Sequence, residues 1–89
     1  MPIKNNYLLK QVGKDYMIIP ISNGNMEVTK VFNINETAAF IYKMLKDDKD
    51  IFDIANALCN EYEGLDSKDA LNDISEFIDK LKEKGIYYD

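Results

Sequence analysis

The hydrophobic residues of this chain change their spacing once, near Asn35, and that change limits the folds open to it. Before Asn35, short runs of strand-forming residues are separated by turns at Gly13 and Gly24, as in strands joined by tight connections. After Asn35, apolar residues recur every three or four positions, which predicts amphipathic helices. Strands followed by helices, without alternation between the two, indicate an α+β fold.

Turn and capping residues divide the sequence into six predicted elements, which we expect to form a single domain over residues 1–89. Antiparallel strands are predicted over about 7–12, 15–21 and 26–34, and helices over about 36–46, 51–63 and 67–84. N-cap residues precede the three helices: Asn35, Asp50 and either Asp66 or Ser67. The last two helices, joined by a short turn, predict a winged helix-turn-helix-like arrangement with the strands as a small wing.

The chain contains few of the side chains that catalysis or metal binding needs. Its 89 residues include no histidine and one cysteine, Cys59. Histidine-based catalytic pairs, the usual zinc sites and an intrachain disulfide are therefore excluded. The aspartates between residues 47 and 53 lack the spacing of a calcium loop and predict a solvated helix junction. We expect no enzyme activity, no cofactor and no metal.

The location and the partners are constrained by hydropathy and charge. No apolar run approaches the ~20 residues that span a bilayer, so we expect a cytoplasmic protein with no membrane partner. The formal net charge is −5, and lysine is the only basic residue. The turns that a recognition helix presents to DNA would carry four acids against Lys68: Asp66, Asp69, Asp73 and Glu76. Because clustered basic residues supply phosphate affinity, nucleic acid is not an expected partner.

The third predicted strand is the element that most favours a binding role. Residues 26–32 could form one edge of a three-stranded sheet, beside a helix, with only Glu27 and Lys30 interrupting the strand formers. An extended peptide can add to such an edge as a further strand. From this pattern alone, a covered internal strand or a dimer contact is favoured over peptide binding.

Four segments, in order, resemble the PqqD family, named for pyrroloquinoline-quinone biosynthesis protein D. Between about Tyr7 and Tyr88 they are Leu8-Leu9-Lys10-Gln11-Val12-Gly13 with Tyr16 and Pro20, Asn35-Glu36-Thr37-Ala38-Ala39, Ile51 through Leu58 to Glu61-Tyr62, and Asp73-Ile74 with Phe77-Ile78 and Leu81-Lys82-Glu83-Lys84-Gly85-Ile86. The chain departs from the family at Ile86, at Asp47 and in the loop at residues 23–25, which does not align.

The resemblance implies that the chain is a non-catalytic recognition element for ribosomally made, post-translationally modified peptides. It implies that the chain acts as a peptide chaperone. Family members bind the leader part of a precursor peptide as a strand added along their third strand and packed against the third helix. They present it to a tailoring enzyme, often a radical S-adenosylmethionine (SAM) enzyme. Carried onto this sequence, the peptide-binding residues are Val28, Thr29, Lys30, Val31, Phe32, Asp73, Phe77 and Lys80.

Some of these residues have a second interpretation. Phe77 is expected in the core as readily as in the groove. Lys80 and Lys84 could pair with acidic leader residues, although lysines late in a helix commonly interact with the helix dipole. Two other functions also stay open: a winged-helix adaptor for protein interaction or transcription, and a self-associating domain that forms a homodimer through its third strand.

Overall fold

The sheet is built around one central strand. The computed structural model describes residues 3–88. Strand β1 (Tyr7–Val12) pairs antiparallel with strand β2 (Asp15–Ser22). Two short strands, β3 (Asn25–Met26) and β4 (Phe32–Ile34), lie on the opposite side of β2 and are antiparallel to it. The outer edges of the sheet are therefore β1 on one side and β3 with β4 on the other.

Three helices follow the sheet, each beginning at a predicted cap. They are α1 (Glu36–Lys46), α2 (Ile51–Glu61) and α3 (Ser67–Glu83). A cap side-chain oxygen accepts a hydrogen bond from a backbone N–H of the first turn at Asn35 (2.8 Å), Asp50 (2.9 Å) and Asp66 (2.8 Å). These bonds satisfy donors that the helix itself leaves free. Antiparallel strands followed by three helices confirm the α+β fold class, and the winged helix-turn-helix description stays a prediction.

The hydrophobic core lies between the sheet and the helices. Its largest fully buried side chains are Ile3, Ile18, Ile41, Tyr42, Ile54, Leu58, Ile74 and Leu81. Phe77 belongs to the same core and is 5% exposed. Because α3 contributes four buried residues at helical spacing to this core, its position against α1 and α2 is set by packing.

The prediction of one continuous third strand over 26–34 is wrong. Residues 28–30 form a 3₁₀ turn between β3 and β4. Five residues, 27–31, separate Met26 from Phe32, whereas only two residues separate their partners Ile21 and Ile18 on β2. The surplus residues cannot stay in register with β2, so the chain leaves the sheet and rejoins it at Phe32.

Pro20 gives the physical reason for this detour. The backbone N–H of Ile21 donates to the carbonyl of Asn6, on the β1 side of β2, at 2.8 Å. Because N–H groups alternate sides along a strand, the nitrogen of Pro20 faces the third-strand side, where it has no hydrogen to donate. The Pro20 carbonyl accepts from the N–H of Glu27 at 2.8 Å, and the ladder stops there. The missing donor thus overrides the strand propensity of residues 28–31.

The chain returns to the core after α3 through Gly85, whose φ is +76°. The N–H of Ile86 donates to the carbonyl of Leu81 at 2.8 Å, and that of Gly85 to the carbonyl of Lys82 at 3.0 Å. This is a Schellman helix end. It buries Ile86, and Tyr87 then forms a β-bridge with Ile3.

Candidate functional site

Two separate cavities lie along the third-strand segment, residues 27–35, and each is also lined by α3 or by the residue that follows it. They are a large cavity of about 640 Å³ and a small cavity of about 230 Å³. The large cavity lies at Phe32 and at Lys84, beyond the C-terminal end of α3. The small cavity lies at Asn35 and at Phe77, in the middle of α3. We call the two cavities together the strand–helix groove.

The large cavity lies where the third-strand segment leaves the sheet. Its apolar lining consists of Tyr7, Ile18, Pro20, Ile21, Val31, Phe32 and Ile86. The charged lining consists of Glu27, Lys30 and Lys84. Pro20 ends the hydrogen-bond ladder between β2 and β3. It also lines the cavity that opens where the chain leaves the sheet. A cavity of this size can accept a large apolar side chain.

The small cavity lies between the start of α1 and the middle of α3. The residues from the α1 side are Asn35, Thr37, Ala38 and Ile41, and those from α3 are Asp73, Glu76, Phe77 and Lys80. The Asn35 side chain is held in place because it accepts the cap bond from the N–H of Ala38. Since Phe77 is 5% exposed, this ring closes the bottom of the cavity and offers little surface to a ligand.

The open edge of β4 adds backbone groups to the site. Within residues 3–88, β4 pairs only with β2. Backbone N–H and C=O groups face alternate sides along β2. Because those of Ile21 face β1, those of Ile18 face β4, where Ile18 lies opposite Phe32. The next residue, Asn33, therefore turns its N–H and C=O away from β2. These two groups can bond to an additional extended chain.

The charges of the groove differ between its two ends. At the large cavity, the ammonium of Lys84 lies 5.1 Å from the ring centre of Phe32. Lys30 beside it is paired with Glu27, with 3.7 Å between Nζ and Oε2. At the small cavity, Asp73 and Glu76 stand against one lysine, Lys80.

The groove brings together seven of the eight residues predicted to bind peptide. Thr29, Lys30, Val31 and Phe32 line the large cavity, and Asp73, Phe77 and Lys80 line the small one. Val28 lines neither cavity and is 66% exposed in the 3₁₀ turn. The roles of all eight residues stay predictions.

Three features of the site were not predicted from the sequence. Glu76 lies on the same face of α3 as Asp73 and Lys80, so helical spacing could have indicated it. Asn35 was assigned only a capping role, yet it also lines the small cavity. The outward backbone of Asn33 depends on the register with β2, which no local signal in the sequence specifies.

The groove offers binding groups: two cavities of mixed polar and apolar lining, edge hydrogen-bonding groups and charges. Cys59 is half-buried on α2 and lines neither cavity. Within the described residues, no three potential metal-ligating side chains cluster. Over the same residues, no helix is both long and apolar enough to cross a bilayer.

A protein family and solved structures are similar to this chain. The family described as "Coenzyme PQQ synthesis protein D (PqqD)" matches residues 24–86. The chain is similar to the solved structure "Lasso peptide synthetase B1 complexed with the leader peptide", with 26% identity, a TM-score of 0.77, and coverage of 98% of this chain and 95% of that chain. Its fold is also that of "TbiB1 in Complex with the TbiA(beta) Leader Peptide", with 21% identity, a TM-score of 0.76 and complete (100%) coverage of both chains. No curated protein matches the chain.

Proposed function

The chain belongs to the PqqD family, as the sequence resemblance predicted, and from this premise we propose that it binds the leader region of a ribosomally made precursor peptide. The observation that carries the proposal is the strand–helix groove, which combines an unpaired strand edge with two side-chain cavities. Both similar solved structures are described as complexes with a leader peptide, which supports this choice of ligand.

The leader adds to β4 as an extended strand. Its backbone bonds to the outward N–H and C=O of Asn33, and its alternate side chains point into the groove. The large cavity takes an apolar anchor against the partly exposed side chains of Val31 and Phe32. Burying one large apolar side chain contributes about 1.5–3 kcal/mol, more than a typical hydrogen bond. Side-chain anchoring therefore sets which leader binds, while the backbone bonds set its alignment.

The role we propose is non-catalytic. The protein holds the leader and presents the precursor to a tailoring enzyme, with a radical SAM enzyme as the expected partner. Tethering raises the local concentration of the peptide's modified region near that enzyme without new chemistry. We place this activity in the cytoplasm, with residues 1–89 acting as one recognition domain.

Fluorescence anisotropy with a labelled leader tests the proposal. The probe is the leader of the short peptide encoded nearest this gene, and a scrambled leader and a random-sequence DNA duplex at low salt are the controls. We expect saturable leader binding in the micromolar range or tighter and no DNA binding. Absence of leader binding to the folded protein, with and without the neighbouring tailoring enzyme, would refute it.

The same titration distinguishes self-association through β4. Light scattering at each protein concentration measures the molecular mass with and without leader. A dimer that excludes the leader as protein concentration rises would assign the β4 edge to a second copy of the chain. A monomer that binds the leader would assign it to the peptide.

A further inference from the structure

The two ends of the strand–helix groove carry opposite excess charge. At the large cavity, Glu27 is paired with Lys30, and Lys84 has no carboxylate within 4.0 Å among residues 3–88. At the small cavity, Asp73 and Glu76 also form no ion pair within the described part of the chain. Lys80 also lines the small cavity, so two acids stand against one lysine there, whereas two lysines stand against one acid at the large cavity.

The open edge of β4 gives the ligand a direction. β4 runs from Phe32 at the large cavity to Ile34, next to Asn35 at the small cavity. Antiparallel pairing is the more stable ladder, and β4 already pairs antiparallel with β2. An antiparallel ligand therefore has its N-terminal part at the small cavity and its C-terminal part at the large one.

The spacing of the charges follows from helix and strand geometry. Lys84 is eleven residues after Asp73 and eight after Glu76. At 1.5 Å per residue along α3, these separations are about 16 and 12 Å. An extended strand covers about 3.3 Å per residue, so the same span corresponds to about four or five ligand residues.

We propose that this groove selects leaders by charge order. The preferred leader has a lysine or arginine for Asp73 and Glu76, then an apolar centre, then an aspartate or glutamate for Lys84. The basic and acidic residues are about four or five positions apart, with the basic residue on the N-terminal side. This inference rests on the proposed function, because it specifies the ligand of the same groove.

Lys84 has a competing role that the test must separate. A lysine at the C-terminal end of a helix interacts favourably with the helix dipole whether or not it binds a ligand. Lys82 provides the matched control. It lies in the last turn of α3, just before the C-cap residue Lys84, but its ammonium contacts Tyr87, at 5.5 Å from the ring centre, and it lines neither cavity. Lys82→Glu and Lys84→Glu therefore make the same charge change at neighbouring positions.

The experiment is selection of random 16-residue peptides by mRNA display against the full chain, followed by sequencing. We expect enriched peptides to share the basic–apolar–acidic order. For the best peptide, Lys84→Glu should weaken binding about 3- to 10-fold at low salt, less at high salt, and Lys82→Glu should not. Replacing the peptide's acidic residue by lysine should restore binding to Lys84→Glu.

The outcomes separate this inference from the function on which it rests. Enriched peptides with an apolar centre but no charge order, or with the reverse order, would overturn the charge-order proposal and leave peptide binding intact. Equal effects of Lys82→Glu and Lys84→Glu would also overturn it. A folded protein that enriches no peptide would overturn both proposals.

Discussion

The outward backbone N–H of Asn33 provides the sharpest test of strand addition. The register places this group on the open edge of β4, away from β2. Asn33→Pro removes the outward donor without removing a bond between β4 and β2. Proline is tolerated at edge positions whose N–H faces outward, so the variant should fold.

The expected loss in affinity comes from the one backbone hydrogen bond that the outward N–H of Asn33 donates to the leader. Such a bond contributes about 0.5–1.5 kcal/mol net, but removing the donor leaves a buried ligand carbonyl unsatisfied, which costs about 1–3 kcal/mol. The second figure applies to Asn33→Pro, and a loss of about 1–3 kcal/mol corresponds to leader binding that is about 5- to 150-fold weaker. The proline ring also stands where the incoming strand would pair, so the upper part of this range is the more relevant one.

The assay is the anisotropy titration of the labelled leader, combined with urea denaturation of each variant. Asn33→Ala is the matched control, because it removes the same side chain and keeps the N–H. It should bind the leader within about twofold of the wild type, since only a surface side chain is lost. Phe32→Pro is the opposite control: it removes a donor that faces β2 and should destabilise the fold.

Asn33→Pro should bind the leader more weakly than Asn33→Ala when the two variants are equally stable. Equal leader affinity of a folded Asn33→Pro protein and the wild type would refute strand addition at β4. Equal weakening by Asn33→Pro and Asn33→Ala would instead assign the effect to the side chain.

Three further predictions concern stability. Gly85→Ala should lower the free energy of unfolding by about 1–2 kcal/mol in urea denaturation, because φ is +76° there. An added Cβ would meet no atom within 4 Å, so only the backbone conformation opposes the change. A loss several times larger would contradict this explanation. Asp66→Ala should cost about 1 kcal/mol in the same assay through loss of the cap bond to Asp69, and Asp69→Ala, which keeps that backbone donor, should cost less. Burial, together with the nearby Tyr7, raises the pKa of Tyr42 from 10.0 to about 12. The folded state thus holds this proton more tightly than the unfolded state, and the resulting stability is complete below pH 10 and is lost as the pH rises toward 12. By about pH 11 the wild type should lose about 1.4 kcal/mol relative to Tyr42→Phe, as measured by urea denaturation at each pH, and parallel losses in both proteins would contradict the assignment to Tyr42.

The candidate site could be predicted in part, because much of it lies on one helix face. The family resemblance implied Asp73, Phe77 and Lys80, and their helical spacing puts them on one face of α3, where they line one cavity with residues at the start of α1. Phe77 shows what helical spacing cannot predict. Its spacing fits both the core and the groove, and only packing against neighbouring elements buries it to 5% exposure.

Features that depend only on neighbouring residues along the chain could be predicted from the sequence. The caps at Asn35 and Asp50 act through contacts within one turn, and the structure has helix starts at these positions. For the third helix the sequence offered Asp66 or Ser67, and the structure has Asp66 as the cap. The α+β class and the family follow from the same local patterns taken in order.

The tertiary structure alone decided the shape of the third-strand segment and the outward direction of Asn33. Both depend on register against β2, where Pro20 presents no donor to its neighbour. Residues 28–31 have strand-forming side chains, but a strand forms only where a partner supplies hydrogen bonds. That partner is distant in sequence, so the detour and the large cavity beside it come from pairing between strands and not from local propensity.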